Sequence, residues 1–279
     1  MAGWLALMLI MAIAGRETTR ELNVFEIMEV RSVLGFFMLY PLIRLNGGFA
    51  AMKTARPLQH LGRNLIHYGA QLCWFFALTL IPLGQVVSIE FTMPIWTAIL
   101  AATFLGERMT VWKISAIVLG VVGVLVIVRP ATGEINPGQL IALAAAVGFG
   151  ISVAMMKSLT RTENTLAIIF WMLVIQSAAG FFPSLYVWVW PSAYAFGWIV
   201  VIAFCGTFSH YCMARAMLYA DATVVLPMDF LRVPLTATAG WLIYSERLDI
   251  FTVLGAVLIL TGNLLNLKAA DPIPARAAT

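Results

Sequence analysis

Long apolar stretches separated by short polar turns run from one end of the chain to the other. We read ten helices, at 2–22, 25–45, 58–80, 83–105, 110–128, 137–158, 164–187, 195–219, 222–244 and 249–268. The hydrocarbon core of a bilayer takes about 20 residues of helix, so each segment is sized to span it. The breaks are Gly, Pro and charged residues, the usual punctuation of turns. They include Arg44–Gly48, Ile81-Pro82, Gly106-Glu107-Arg108, Trp190-Pro191-Ser192, Ser245-Glu246-Arg247 and the linker from Arg129 to Pro137. Met1–Gly15 lacks a basic leading segment and a small-residue cleavage site before Arg16, so it reads as a first span rather than a secretory signal. The segment 271–279, with Pro272 and Pro274, reads as a disordered cytoplasmic tail.

Composition agrees with this pattern. Of 279 residues, 62% are hydrophobic and 11% charged, with a mean hydropathy of +0.93. Soluble domains average about 45–50% apolar and about 25% charged, so a soluble domain is excluded. Disorder, which needs high charge and low hydrophobicity, is excluded too. A net charge of +4 is too small to argue for nucleic acid. Its distribution carries more information, because cytoplasmic loops are enriched in Lys and Arg. With a cytoplasmic N-terminus, ten cations fall inside: Arg44, Lys53, Arg56, Arg63, Arg108, Lys113, Lys157, Arg161, Lys268 and Arg276. Four fall outside: Arg16, Arg20, Arg129 and Arg247. Both termini are therefore expected in the cytoplasm, with the chain in the inner membrane. Cys73, Cys205 and Cys212 lie in apolar runs, without the spacing of metal ligands. No metal or cofactor is expected.

The chain repeats itself. At an offset of 139, Ala77 falls on Ala216, Glu90-Phe91 on Asp229-Phe230, Glu107-Arg108 on Glu246-Arg247 and Gly123 on Gly262. Near an offset of 141, the Leu22-Asn23 region falls on Glu163-Asn164. The halves are 1–130 and 131–270, five spans each. An odd number of spans gives them opposite orientations. Inverted repeats of this kind occur in transporters, with the substrate at the midplane between halves.

Certain residues carry a family resemblance. They are the Asn23–Ser32 stretch, Ala77 to Gln85, Pro94, the Phe104–Arg108 turn, Gly120 and Gly123, and in the second half Tyr244–Arg247 and Leu260-Thr261-Gly262. In these the chain resembles the drug/metabolite transporter superfamily, in its EamA branch, along its whole length. Within that branch it is most similar to YddG-type exporters of aromatic and other amino acids. The resemblance implies an all-α membrane protein of ten helices in two inverted five-helix repeats. It also implies a small-molecule cargo moved by alternating access. The charged Arg16–Glu21 stretch departs from that pattern.

Ionisable residues inside spans cost about 2.5–3.5 kcal/mol on insertion scales and tend to face a cavity or a partner. Glu90 lies mid-span, four residues before the helix-kinking Pro94. Asp229 is its repeat mate, and Arg232 follows one turn later. The carboxylates would engage a substrate ammonium or a proton; an Asp229–Arg232 ion pair is the structural alternative. In the eighth span Tyr211, Arg215 and Tyr219 form a stripe that would clamp a carboxylate between rings, unless Arg215 pairs with Asp221. His67, Tyr68, Gln71 and Trp74 lie in the third span. The substrate set is thus Glu90, Asp229, Arg232, Arg215, His67 and the aromatic wall of Tyr68, Trp74 and Tyr211. Glu26, Glu29 and Arg31 read as mutual neutralisation, with Arg31 or Glu26 as alternative cavity residues. Glu246-Arg247 reads as a hairpin feature.

An intramembrane enzyme would need a clustered nucleophile and base or a His-Glu-x-x-His motif, and neither is present. A Walker-A loop is also lacking, so energy would come from the substrate gradient or a coupled ion such as the proton. A carrier of phosphate-bearing nucleotide-type or lipid-linked cargo is the alternative on the same fold. It would need convergent cations, and only Arg31, Arg215 and Arg232 fall within spans. Nothing in the small-residue spacing specifies a dimer, so a monomer fits.

Overall fold

The computed structural model describes residues 2–104, 110–128, 136–159, 162–219, 231–247 and 250–268. Among these residues the structure is helical with no strand. The first half holds α1 (Ala2–Thr18), α2 (Val24–Leu45), α3 (Pro57–Leu80), α4 (Leu83–Glu90), α5 (Met93–Phe104) and α6 (Val111–Val128). The second holds α7 (Pro137–Leu159), α8 (Thr165–Tyr186), α9 (Ala193–Tyr219), α10 (Arg232–Tyr244) and α11 (Ile250–Lys268). A short 3-10 turn, Gly48–Met52, follows α2.

Local chemistry sets the boundaries. Asn23 caps α2 by accepting from the Phe25 N–H at 3.0 Å, and Asn164 caps α8 by accepting from Ala167 at 2.7 Å. An asparagine side chain there satisfies one of the amides left unpaired at a helix start. The two asparagines are the residues matched near the 141-residue offset. Pro57 and Pro137 open α3 and α7, where a missing N–H costs nothing. The first helix stops at Thr18, short of the expected 22, as the chain turns through Thr19 to Glu21.

The fourth expected span is two helices, not one. α4 ends at Glu90 and α5 begins at Met93. Pro94 has no N–H to offer the carbonyl of Glu90, so the α-helical ladder cannot continue through that point. The chain turns tightly instead, with Thr92 N–H on the Ile89 carbonyl at 3.0 Å and Thr92 Oγ1 on the same oxygen at 2.8 Å. The Phe91 carbonyl left over accepts from Asn263 Nδ2 of α11 at 2.6 Å. In the second half α10 begins at Arg232, 139 residues after Met93, in the register of the sequence repeat.

The principal packed pairs are α1 with α9, α3 with α7, α2 with α8 and α6 with α11. Also packed are α2 with α9, α5 with α7, α3 with α8 and α1 with α10, and α4 packs on α10 and on α7. Exchange α1 for α7, α2 for α8, α3 for α9, α5 for α10 and α6 for α11. Each of these pairs, those of α4 excepted, then becomes another of them or itself. The α6–α11 contact is backbone on backbone. A Cβ on Gly255 would stand 2.6 Å from the Gly123 carbonyl oxygen, and one on Gly262 2.8 Å from that of Ala116. In lipid, association rests on such small-residue contact rather than on the hydrophobic effect.

The bundle exposes large apolar side chains and holds charged ones within an otherwise apolar interior. Phe37, Leu45, Phe182, Trp241 and Leu242 are exposed on the outside, while Glu29, Arg31, Arg63, His67, Glu90 and Arg232 are buried. Pro137–Met156 and Thr165–Tyr186 are each long and apolar enough to cross a bilayer.

Candidate substrate site

The break between α4 and α5 organises the first polar centre. It places the Glu90 carboxylate at a helix end in the interior, 8% exposed. Oε2 accepts from Trp74 Nε1 at 2.8 Å and Oε1 accepts from Arg232 Nη2 at 2.9 Å. The Arg232 guanidinium also lies 4.9 Å over the ring centre of Phe91. Three segments from both halves thus converge: α3 through Trp74, the α4 end through Glu90 and the start of α10 through Arg232. A charge-assisted pair excluded from water is strong only when its remaining atoms are also bonded. Trp74 supplies that bond here.

The sequence offers no local cation for Glu90, and the partner comes from 142 residues away. Arg232, expected beside Asp229, reaches Glu90. Asp229 lies outside the described residues, as does the side chain of Arg215. His67 Nδ1 meets Ser152 Oγ of α7 at 3.2 Å, and its ring packs 5.3 Å from Phe149. Tyr68 and Trp74 are buried at 6% and 4%, but Tyr211 is 42% exposed on α9. The structure therefore puts two of the three expected wall aromatics inside the bundle and the third on its exterior.

A second polar centre, built around the alternative cavity residue Arg31, lies one turn away along α3. Arg31 Nη2 donates to Gln71 Oε1 and to Gln176 Oε1, both at 2.9 Å. Glu29 Oε1 accepts from Ser177 Oγ at 2.6 Å, and Glu26 Oε2 accepts from the Val189 N–H at 3.4 Å. The expected mutual neutralisation of Glu26, Glu29 and Arg31 does not occur, because successive positions on α2 point to different neighbours. The signal in the sequence was the shared face of His67, Gln71 and Trp74 on α3.

A third cluster ties helix ends together. Glu246 pairs with Arg16 at 2.5 Å and accepts from the Leu83 N–H at 2.9 Å. Glu246 is therefore more than a hairpin feature: it joins α10 to α1 and to the start of α4. Arg16 also donates to the Ile81 carbonyl at 3.2 Å, and the guanidinium groups of Arg16 and Arg20 lie over Tyr244. Beside them opens a cavity of about 550 Å³ lined by Arg16, Arg20, Thr79, Tyr244 and Glu246.

An apolar-faced helix bundle with charged residues in its interior, and a helix broken beside one of them, is the architecture of a membrane transporter. The EamA-like transporter family matches residues 4–129 and again 136–268. The chain belongs to that family, within the drug/metabolite transporter superfamily, and is a multi-pass membrane transporter. It is 28% identical over 244 residues to the S-adenosylmethionine uptake transporter of Rickettsia prowazekii (strain Madrid E), covering 88% of this chain and 83% of that one. It is 30% identical over 243 residues to a riboflavin transporter of Rhizobium johnstonii, covering 84% and 78%. It is 28% identical over 250 residues to the pseudopaline exporter CntI of Pseudomonas aeruginosa, covering 88% and 86%. A solved crystal structure matches 96% of both chains with a TM-score of 0.67 at 18% identity, which speaks for the fold alone. These relatives carry S-adenosylmethionine, riboflavin and pseudopaline, and give no support to the narrower expectation of an aromatic amino-acid exporter.

Proposed function

We propose that the protein moves an amphipathic, positively charged metabolite bearing an amino-acid head group across the bacterial inner membrane. The observation that carries this reading is the buried Glu90 carboxylate at the helix break, held between Trp74 and the oppositely charged Arg232. A cargo cation entering the site would replace Arg232 at Glu90, and Trp74 would stack on a flat ring beside it. S-adenosylmethionine combines a cationic centre, an amino-acid head and a purine in one molecule, and fits this chemistry. Amino acids, aromatic ones included, offer a smaller version of the same pattern. Asp229, Arg215 and His67 would complete the site.

Because Glu90 and Arg232 come from different halves, opening their pair couples cargo entry to relative movement of the halves. That is the demand of alternating access. Five spans per half make the repeats inverted, and the distribution of Lys and Arg puts both termini in the cytoplasm. The Arg16–Glu246 tie then lies at the outer end, where it would hold α1 to the end of α10.

The test is uptake by purified protein in proteoliposomes, with labelled S-adenosylmethionine, tryptophan and riboflavin, with and without a pH gradient. Wild type should carry the cationic or zwitterionic compounds, and Glu90→Gln should abolish that transport. Stimulation by the gradient would add proton coupling. Carriage of riboflavin alone, indifferent to Glu90→Gln, would refute the charged-cargo reading.

A further inference from the structure

The seam between α2 and α8 has no part in the site just described, yet it is tied at both of its ends. The two helices are repeat mates, so the exchange of halves turns their contact into itself. At one end Glu21, two residues before the Asn23 cap of α2, accepts from the N–H and the hydroxyl of Ser192, both at 2.7 Å. Ser192 stands in the loop that follows α8. At the other end Glu163, immediately before the Asn164 cap of α8, accepts from the Thr54 hydroxyl at 2.6 Å. Thr54 stands in the loop that follows α2. Each latch thus sets a glutamate beside one helix cap against a hydroxyl in the loop leaving the other helix. Hydrogen bonds to a carboxylate are of the stronger, charge-assisted kind.

The length between the latches is packed, and its contacts climb one helix as they descend the other. Glu29 accepts from Ser177 at 2.6 Å, Arg31 donates to Gln176 at 2.9 Å, and a Cβ on Gly35 would stand 3.0 Å from Leu173. Leu39, Ile43 and Met52 then join Ile169 and Met172 in one buried apolar cluster. Trp171 Nε1 donates to the Met52 carbonyl at 2.9 Å, and Asn164 Nδ2 to that of Ala51 at 3.2 Å. The 22 residues of α2 rise about 33 Å at 1.5 Å each, so the seam runs through the whole hydrocarbon core. The polar site and the cavity lie elsewhere. Glu90, Trp74 and Arg232 belong to α4, α3 and α10. The 550 Å³ cavity is lined from α1, α3, α10 and their adjoining turns, without a residue of α2 or α8. It exists while both latches are made, so access there does not require the seam to part.

We infer that α2 and α8 form the pivot of the transport cycle: their seam stays closed at both ends in every state, while the helices lining the site and the cavity move against it. This rests on the alternating-access reading above. A gate is shut at one end of the bundle and open at the other, and changes over as one half rocks on the other. A contact latched at both ends together is instead a place for the halves to rock upon. Being turned into itself by the repeat, it can remain the same when the two halves exchange conformations.

The experiment bridges each latch with a short bis-methanethiosulfonate reagent, in Glu21→Cys with Ser192→Cys and in Thr54→Cys with Glu163→Cys, the native cysteines being replaced by alanine. Mass spectrometry of the linked peptides confirms the bridges. Uptake of S-adenosylmethionine, tryptophan and riboflavin into proteoliposomes should run at the unbridged rate with either bridge and with both together. Loss of uptake on bridging, restored by a reductant, overturns the inference and makes that end a gate. A second measurement leaves the latches intact and covers a folding failure of those variants. Spin labels on Phe37→Cys of α2 and Phe182→Cys of α8, both on the outside of the bundle, report the separation of the two helices. It should give one peak, unchanged between acidic and neutral pH and on adding each compound. A second peak overturns the inference. If wild type carries none of the three compounds, the cargo reading falls, and the label separation alone decides the seam.

Discussion

Glu90→Gln removes one charge of a buried pair while changing the shape of the side chain very little. The two charged groups are 10% and 5% exposed and 2.9 Å apart. Removing one partner of such a pair costs about 3–5 kcal/mol, because the other charge stays behind in a medium that solvates it poorly. The glutamine of that variant can still accept from Trp74, and Arg232 keeps its stacking over Phe91, so the low end, about 3 kcal/mol, applies. For a chain of this size 1 kcal/mol moves Tm by about 2–4 °C, which gives a fall of roughly 6–12 °C. Arg232→Gln should cost a similar amount for the mirror-image reason. The double variant should recover most of either loss, since both uncompensated charges are gone. The assay is thermal unfolding of purified protein in detergent, followed by tryptophan fluorescence. Transport should be lost in both single variants and should not return in the double. If the two single losses simply add in the double variant, the residues are not energetically paired. The helix break would then be held by other contacts.

Three further outcomes are expected. Asn263→Leu leaves the buried Phe91 carbonyl without its 2.6 Å partner; it should lower stability by about 1–3 kcal/mol, read as Tm. Gly255→Val drives side-chain atoms into the α6 backbone at Gly123, and overpacking should cost about 1–3 kcal/mol, with Gly255→Ala milder. Glu246→Gln breaks the part-buried tie to Arg16, worth about 1 kcal/mol at that exposure. It should open the adjacent cavity, seen as faster alkylation of a cysteine placed at Thr79; unchanged alkylation would show that the tie does not hold that end shut.

The helices were legible along the chain, because a span must satisfy its own backbone hydrogen bonds and bury apolar length in lipid. Helix starts at Asn23, Pro57, Pro137 and Asn164 could be read too, since capping and proline effects act within a few residues. So could the 139-residue offset, and α5 and α10 begin in that register. Pro94 announced a disturbance beside Glu90. Whether it would be a kink or a complete break depended on Asn263 bonding the freed Phe91 carbonyl, a contact across 172 residues.

Partner choice came from the packing of the bundle. Glu90 has no local cation and takes Arg232. Arg31 has acidic neighbours in sequence, yet is held by Gln71 and Gln176 on two other helices. Glu246 sits in a hairpin turn and bonds α1 and α4. The physical reason is common to all three. Side-chain periodicity fixes which face of a helix is polar, but not which neighbouring helix meets that face. In this bundle that is set by backbone approach at small residues, Gly123, Gly255 and Gly262 among them, and a one-residue pattern does not encode who stands on the far side.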